Sequence, residues 1–162
     1  MKKKDTTKAI AWLERARKNL IYATCGDGND DIAYEDRCNQ CSQAAEKAFK
    51  AVLILKHDSN YIPPMGRDGH KLDILINKLE SKGVVVPVDV KDAANLPYYY
   101  GGMSFPLTLP MNFGFQVSLN DNAVITKYPS GYPPFTKEAY NSAFEKAQMI
   151  VTWAEQQVAS YH

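Results

Sequence analysis

No stretch of apolar residues in this chain approaches the roughly 18 needed for a membrane-crossing helix, so nothing in it is expected to span a bilayer. Cysteine is scarce. Cys25, Cys38 and Cys41 make no even framework for disulfides, which points to a reducing compartment, the cytoplasm. Excess charge is missing too: 19 cationic against 18 acidic residues leave +1, which argues against a protein that coats nucleic acid and leaves room only for a local basic patch. Lys2 to Lys4 form a short basic start with no apolar region behind it, the pattern of a solvated tail and not of a targeting signal. With 45% hydrophobic and 23% charged residues, 162 residues are most simply one ordered domain, 1–162, large enough to bury a real core.

The stretch Asp31 to His57 holds no glycine or proline and organises the rest. Cys38, Cys41, Ala45, Ala48, Val52 and Leu55 recur at steps of three and four, one helical stripe, with Asp36, Gln40, Gln43, Lys47 and Lys50 on a polar face. Asp30 or Asp31 is placed to cap it, and Glu35 and Asp36 suit its N-terminal dipole. Before it, Asp5 to Thr24 reads as a helix with Ile10, Leu13, Ala16, Leu20 and Ala23 inward and Arg15, Lys18 and Asn19 outward. That helix ends in the breakers Gly26-Asp27-Gly28-Asn29. So short a connection makes the two helices antiparallel.

A third helix is predicted from His70 to Lys82 on Leu72, Leu75, Ile76 and Leu79, stopped by Gly83. A short fourth follows over Asp89 to Tyr99. From about 100 to 126 the glycines and prolines forbid a sound helix. Phe113, Phe115, Val117 and Leu119 alternate, Asn120-Asp121-Asn122 offers a turn, and Ala123 to Ile125 could return, which predicts a β-hairpin or ordered loop. Thr136 to Ser160, capped by Thr136, is the last helix, with a stripe through Tyr140, Ala143, Phe144, Ala147, Ile150, Val151, Ala154 and Val158. The expected fold is all-α: an up-and-down bundle of four to five helices with a β-like insertion before the last one.

Particular segments add to this pattern: Trp12 to Ala23, Glu35 to Ile54, His70 to Leu79, Lys127 to Tyr132, and an alanine-rich last helix ending near Trp153. Together they resemble the HEPN family of prokaryotic helical bundles. The resemblance implies a homodimer, often paired with a nucleotidyltransferase in toxin–antitoxin-like systems, and either ribonuclease activity or nucleotide binding. The family's nucleases carry an Arg followed four to six residues later by a His. Here the nearest approach is Arg67 and His70, only three positions apart, and Lys127-Tyr128-Pro129 stands where relatives commonly show Arg-Tyr-Pro. Lysine keeps the charge and loses the planar fork. The implied function is therefore a non-catalytic nucleotide- or RNA-binding dimer. The alternatives are a divergent metal-independent ribonuclease and a pure protein-interaction module.

Candidate binding residues are Lys127 and Tyr128, for phosphate and base. Arg37 and Lys47 join them if a dimer brings the long helices to one cleft, against a plain solvated helix face. Arg67, His70 and Lys71 sit at a predicted helix start whose free N–H groups suit a phosphate, against a loop that His70 merely orients by hydrogen bonding. The tyrosines Tyr98 to Tyr100 suit a subunit interface. Cys38 and Cys41 form a CxxC, but mid-helix on an apolar stripe they read as small hydrophobes, so neither metal nor disulfide chemistry is expected. No cofactor is implied, and no spacing suggests acid–base or covalent catalysis.

Overall fold

The computed structural model describes residues 6–29, 31–57, 60–95, 98–102, 114–117, 119 and 135–161, with backbone alone at 67, 98–102 and 114–117. Its helices are α1 (Thr7–Thr24), α2 (Tyr34–Leu55), α3 (Leu72–Ser81), α4 (Val88–Asn95) and α5 (Lys137–Ala159), with a 3-10 turn at Arg67–His70. The all-helical bundle expected from the sequence is present. α2 is its axis: α1, α3 and α5 all pack on it, and α4 closes onto α5 and α3.

The reason lies in its residues. Ala44, Ala45, Ala48 and Ala51 point in different directions around α2 and are all fully buried, so neighbouring helices approach it from several sides. Phe49, Val52 and Leu53 fill the space that remains. The predicted stripe from Cys38 to Leu55 is buried throughout, whereas of the predicted polar face only Asp36 is exposed. Lys50 is buried because the segment leading into α3 folds over it. The expected aspartate cap is not used: α2 starts behind Ala33, which has no capping side chain, and Glu35 and Asp36 in its first turn meet the dipole instead.

α1 buries Ala9, Leu13, Ala16 and Ala23, with Leu20 half-buried. Two expectations there are corrected. Ile10 is exposed, since the buried line runs through Ala9 and a one-residue step turns a side chain about 100°. Asn19, expected outward, is buried by the polar contacts described below. α3 buries all four of its predicted apolar residues and ends at Gly83, whose φ is +76°. α5 follows its predicted stripe, with Phe144 half-buried, and Thr136 Oγ1 accepts the amide hydrogen bond of Ala139 at 3.1 Å as its cap.

The insertion shows one pairing among the described residues. β1 (Tyr98–Gly102) and β2 (Gly114–Val117) form an antiparallel ribbon, Tyr98 opposite Val117 and Gly102 opposite Gly114, with a bulge between Tyr99 and Gly101. The partner of the Phe115–Val117 strand is thus the tyrosine run upstream, and Ala123 to Ile125 lie outside the described residues. α4 stops at Asn95 and releases the tyrosines, aromatics that favour a strand. Just beyond β2, buried Leu119 gives its carbonyl to Ser42 Oγ at 2.9 Å, pinning the insertion to α2.

Candidate functional site

Arg37 is the most constrained cation in the fold among those described. It leaves the first turns of α2 at only 4% exposure, with its guanidinium carbon 3.7 Å from the centroid of the Tyr140 ring on α5 and 5.4 Å from that of Tyr34. Its Nε donates to the carbonyl of Ala23 at 2.7 Å, and Nη2 bonds the carboxylate of Asp27 in the α1–α2 turn. Gly26 makes this possible: a Cβ there would stand 2.7 Å from Arg37 Cδ and 2.9 Å from Nε. Burial works against the charge, but Tyr140 and Asp27 more than restore it and hold the arginine pKa above its ordinary value. Tyr140 is raised in turn, chiefly by burial, with Arg37 opposing.

Arg37 and Tyr140 form the floor of a recess of about 610 Å³. Tyr34 and Phe144 wall it, Lys137 and Asn141 on α5 line its rim, and Asp27, Gly26 and Gly28 close the turn side. Tyr34 and Phe144 lie 6.1 and 5.9 Å from Tyr140 by ring centroid, so the recess has an aromatic wall. Arg37 and Lys137 are balanced by Asp27 and Glu145. Chemically it offers rings for a flat apolar group and one exposed cation, Lys137, beside the start of a long helix, a position that favours anions. Phe135 ends the segment that enters this helix. Its N–H donates to Glu35 Oε1 at 2.8 Å, which fixes the approach beside the N-terminal end of α2.

A second charged cluster sits about three turns along α2. Glu46 Oε1 accepts from buried Lys50 Nζ at 2.6 Å, and Oε2 lies 2.9 Å from His70 Nδ1. Lys50 also lies 5.5 Å from the Trp12 ring centroid, within cation–π range. A Cβ on Gly69 would be 2.3 Å from the Pro64 carbonyl oxygen, so glycine is required for this loop to pack as it does. The third cluster joins α1 to α2. Asn19 Nδ2 donates to Gln40 Oε1 at 2.5 Å, and Lys47 Nζ donates to Asn19 Oδ1 at 2.5 Å. Burial lowers the Lys47 pKa; Glu46 opposes that shift, and Arg15 and Lys50 add to it.

Across nearly the whole of this bundle, residues 9–157, the chain matches the family model for the HEPN domain. The protein belongs to the HEPN family. The crystal structure of TT1696 from Thermus thermophilus superposes on this HEPN chain with a TM-score of 0.65 at 26% identity, covering 93% of this chain and 98% of that one. No curated protein matches the chain.

Of the predicted site residues whose side chains are described, the recess of this HEPN fold takes in Arg37. Lys127 and Tyr128 lie outside the described residues, and Arg67 is described in its backbone alone. Within one chain Arg37 and Lys47 are about 15 Å apart along the axis of α2, Arg37 held by the α1–α2 turn and Lys47 by Asn19. Lys71 is the N-cap of α3, while His70 lies one residue earlier, in the 3-10 turn Arg67–His70. His70 is engaged by Glu46, the loop-orienting reading of that residue. Cys38 and Cys41 are buried thiols outside any disulfide, and burial pushes Cys41 up to about 12. Among the described residues no group of histidine, cysteine and acidic side chains is arranged to hold a metal, and no helix is long and apolar enough to cross a membrane.

Sequence reading missed Asp27, Glu46, Lys50 and Tyr140. The Glu46–Lys50 spacing of four is a visible helical ion-pair signal. Tyr140 was legible only as core, since nothing in a periodic pattern says which tyrosine will lie under an arginine.

Proposed function

We propose that this HEPN protein is a non-catalytic nucleotide- or RNA-binding dimer, working with a nucleotidyltransferase partner, and that its ligand site is the recess above Arg37 and Tyr140. The observation that carries this reading is the pairing of an aromatic wall with Lys137 at the start of α5. A base stacks on such rings, and a phosphate meets the cation and the helix N-terminus. Lys127 and Tyr128 precede Phe135 by eight and seven residues in the chain, within about 25–30 Å of reach, so they can supply a further charge and ring to the same rim. The absent Arg–His nuclease pair supports binding without turnover.

Dimerisation is supported by Ile21 and Tyr22, 59% and 58% exposed on the last turn of α1 beside the recess. A second copy there would flank the ligand. Titrating fluorescent ATP and a short labelled RNA against wild type, Lys137→Ala and Phe144→Ala, with light scattering on the same samples, tests the proposal. Micromolar binding weakened at least fivefold by both substitutions supports it. Binding indifferent to both, or no binding at all, removes the recess as the site. RNA cleavage that survives purification and disappears in His70→Ala would instead identify a ribonuclease.

A further inference from the structure

Further along α5, against α4, lies a second recess that shares Glu145 with the first. This groove of about 570 Å³ is bordered by Pro87, Asp89, Val90, Glu145, Met149 and Trp153. Three features set it apart. Its surroundings are apolar and open: Val85 is 84% exposed, Val88 70% and Met149 44%. Its ionisable lining is of one sign, with Asp89 and Glu145 and no cation. Nearby Lys91 does not neutralise them, being paired with Glu80 at 2.7 Å. Finally, Trp153 is buried, and its indole N–H has no hydrogen-bond partner among the described residues. Native proteins rarely leave such a donor unused.

We propose that this groove is a docking surface for a cationic, apolar segment of a partner protein. Apolar side chains of that segment would cover Val88 and Met149, and its lysines or arginines would meet Asp89 and Glu145. The charge selects this occupant over a second copy of the chain. Two copies meeting through this face would bring four carboxylates together, where like charges repel. A cationic segment converts the same groups into attraction that weakens as salt rises.

Trp153 supplies the readout, since Trp12 is the only other tryptophan. In a Trp12→Phe background, indole emission is followed while titrating a synthetic helical peptide with leucine at helical spacing and arginine elsewhere. A matched peptide with glutamate in place of arginine is the control. A saturable change with the arginine peptide is expected, at least tenfold weaker with the glutamate peptide and at least tenfold weaker in Thr152→Arg, an exposed substitution that fills the groove with positive charge. The proposal is overturned by the absence of a saturable change, by equal affinity for the two peptides, or by unaltered binding in Thr152→Arg. It is also overturned if light scattering shows a dimer that Thr152→Arg dissociates, which would assign the face to a second copy.

Discussion

Arg37 of α2 lies over the ring of Tyr140 on α5, its guanidinium carbon 3.7 Å from the ring centroid, and this stack closes one end of the bundle. The contact joins helices distant in sequence, and the Ala23 carbonyl ties α1 to the same group. Ring and carbonyl are therefore the parts of its environment that matter; Asp27 is largely exposed and counts for less.

Arg37→Ala should accordingly lower stability by about 2–4 kcal/mol, from loss of a desolvated cation–π contact and an unpaired buried carbonyl. Arg37→Lys should cost less but not nothing, because an ammonium cannot both stack flat and keep the fork. Urea unfolding at neutral pH measures both. A loss below about 0.5 kcal/mol for the alanine variant would show that the stack holds nothing together.

The Glu46–Lys50 pair predicts strong non-additivity. Glu46→Ala strands a buried ammonium and should destabilise by about 3–5 kcal/mol. Adding Lys50→Met removes the stranded charge and should recover at least half of that loss. A double-mutant cycle in urea settles it: strictly additive effects would mean the two side chains do not depend on each other.

How far the sequence could be read follows from the kind of pattern involved. Helical periodicity placed α2, α3 and α5, all of the α3 core and most of that of α5, because burying an apolar stripe is a local rule; on α2 it found the stripe but not buried Phe49 and Leu53. It could not show that α2 would be enclosed on almost every side, since that depends on alanines accepting neighbours and on a loop folding over Lys50. The ribbon was half legible. Alternation marked the Phe115–Val117 strand, but the partner is chosen by tertiary pairing, and the tyrosines across from it looked like the end of a helix. Arg37 was singled out for its charge, yet its surroundings come from Gly26 and Tyr140, 11 residues before it and 103 after it. No spacing rule reaches that far.

Buried Cys41 makes a pH prediction. Its folded pKa, pushed up to about 12 from an ordinary 9.0, means that between those values the unfolded chain ionises while the folded one keeps its proton. The stability associated with the protonated thiol is whole below pH 9 and is lost as pH rises towards 12, at up to about 1.4 kcal/mol per pH unit. Wild type should thus lose stability in this window faster than Cys41→Ala. At pH 8 a thiol reagent should label one cysteine in the native protein, exposed Cys25, and three after unfolding. Parallel alkaline stability curves for the two proteins would contradict the account.

The ligand proposal makes its sharpest claim at Lys127. If this lysine reaches the rim above Arg37, it adds a point charge to a phosphate without touching the core. Lys127→Ala should then weaken nucleotide or RNA binding by about 1–3 kcal/mol, the worth of one charge-assisted hydrogen bond partly shielded from water. Stability should shift by no more than about 0.5 kcal/mol. Lys127→Arg should bind as well or better, because a guanidinium can grip a phosphate with two hydrogen bonds. The contribution should shrink as salt rises, since the Debye length falls from about 10 Å at 0.1 M to about 3 Å at 1 M. Titrating one labelled nucleotide against all three proteins at two salt concentrations separates the outcomes. A loss confined to low salt and restored by arginine places Lys127 on the phosphate; equal affinity throughout makes it plain surface charge, and leaves Lys137 as the cation on which the recess must rely.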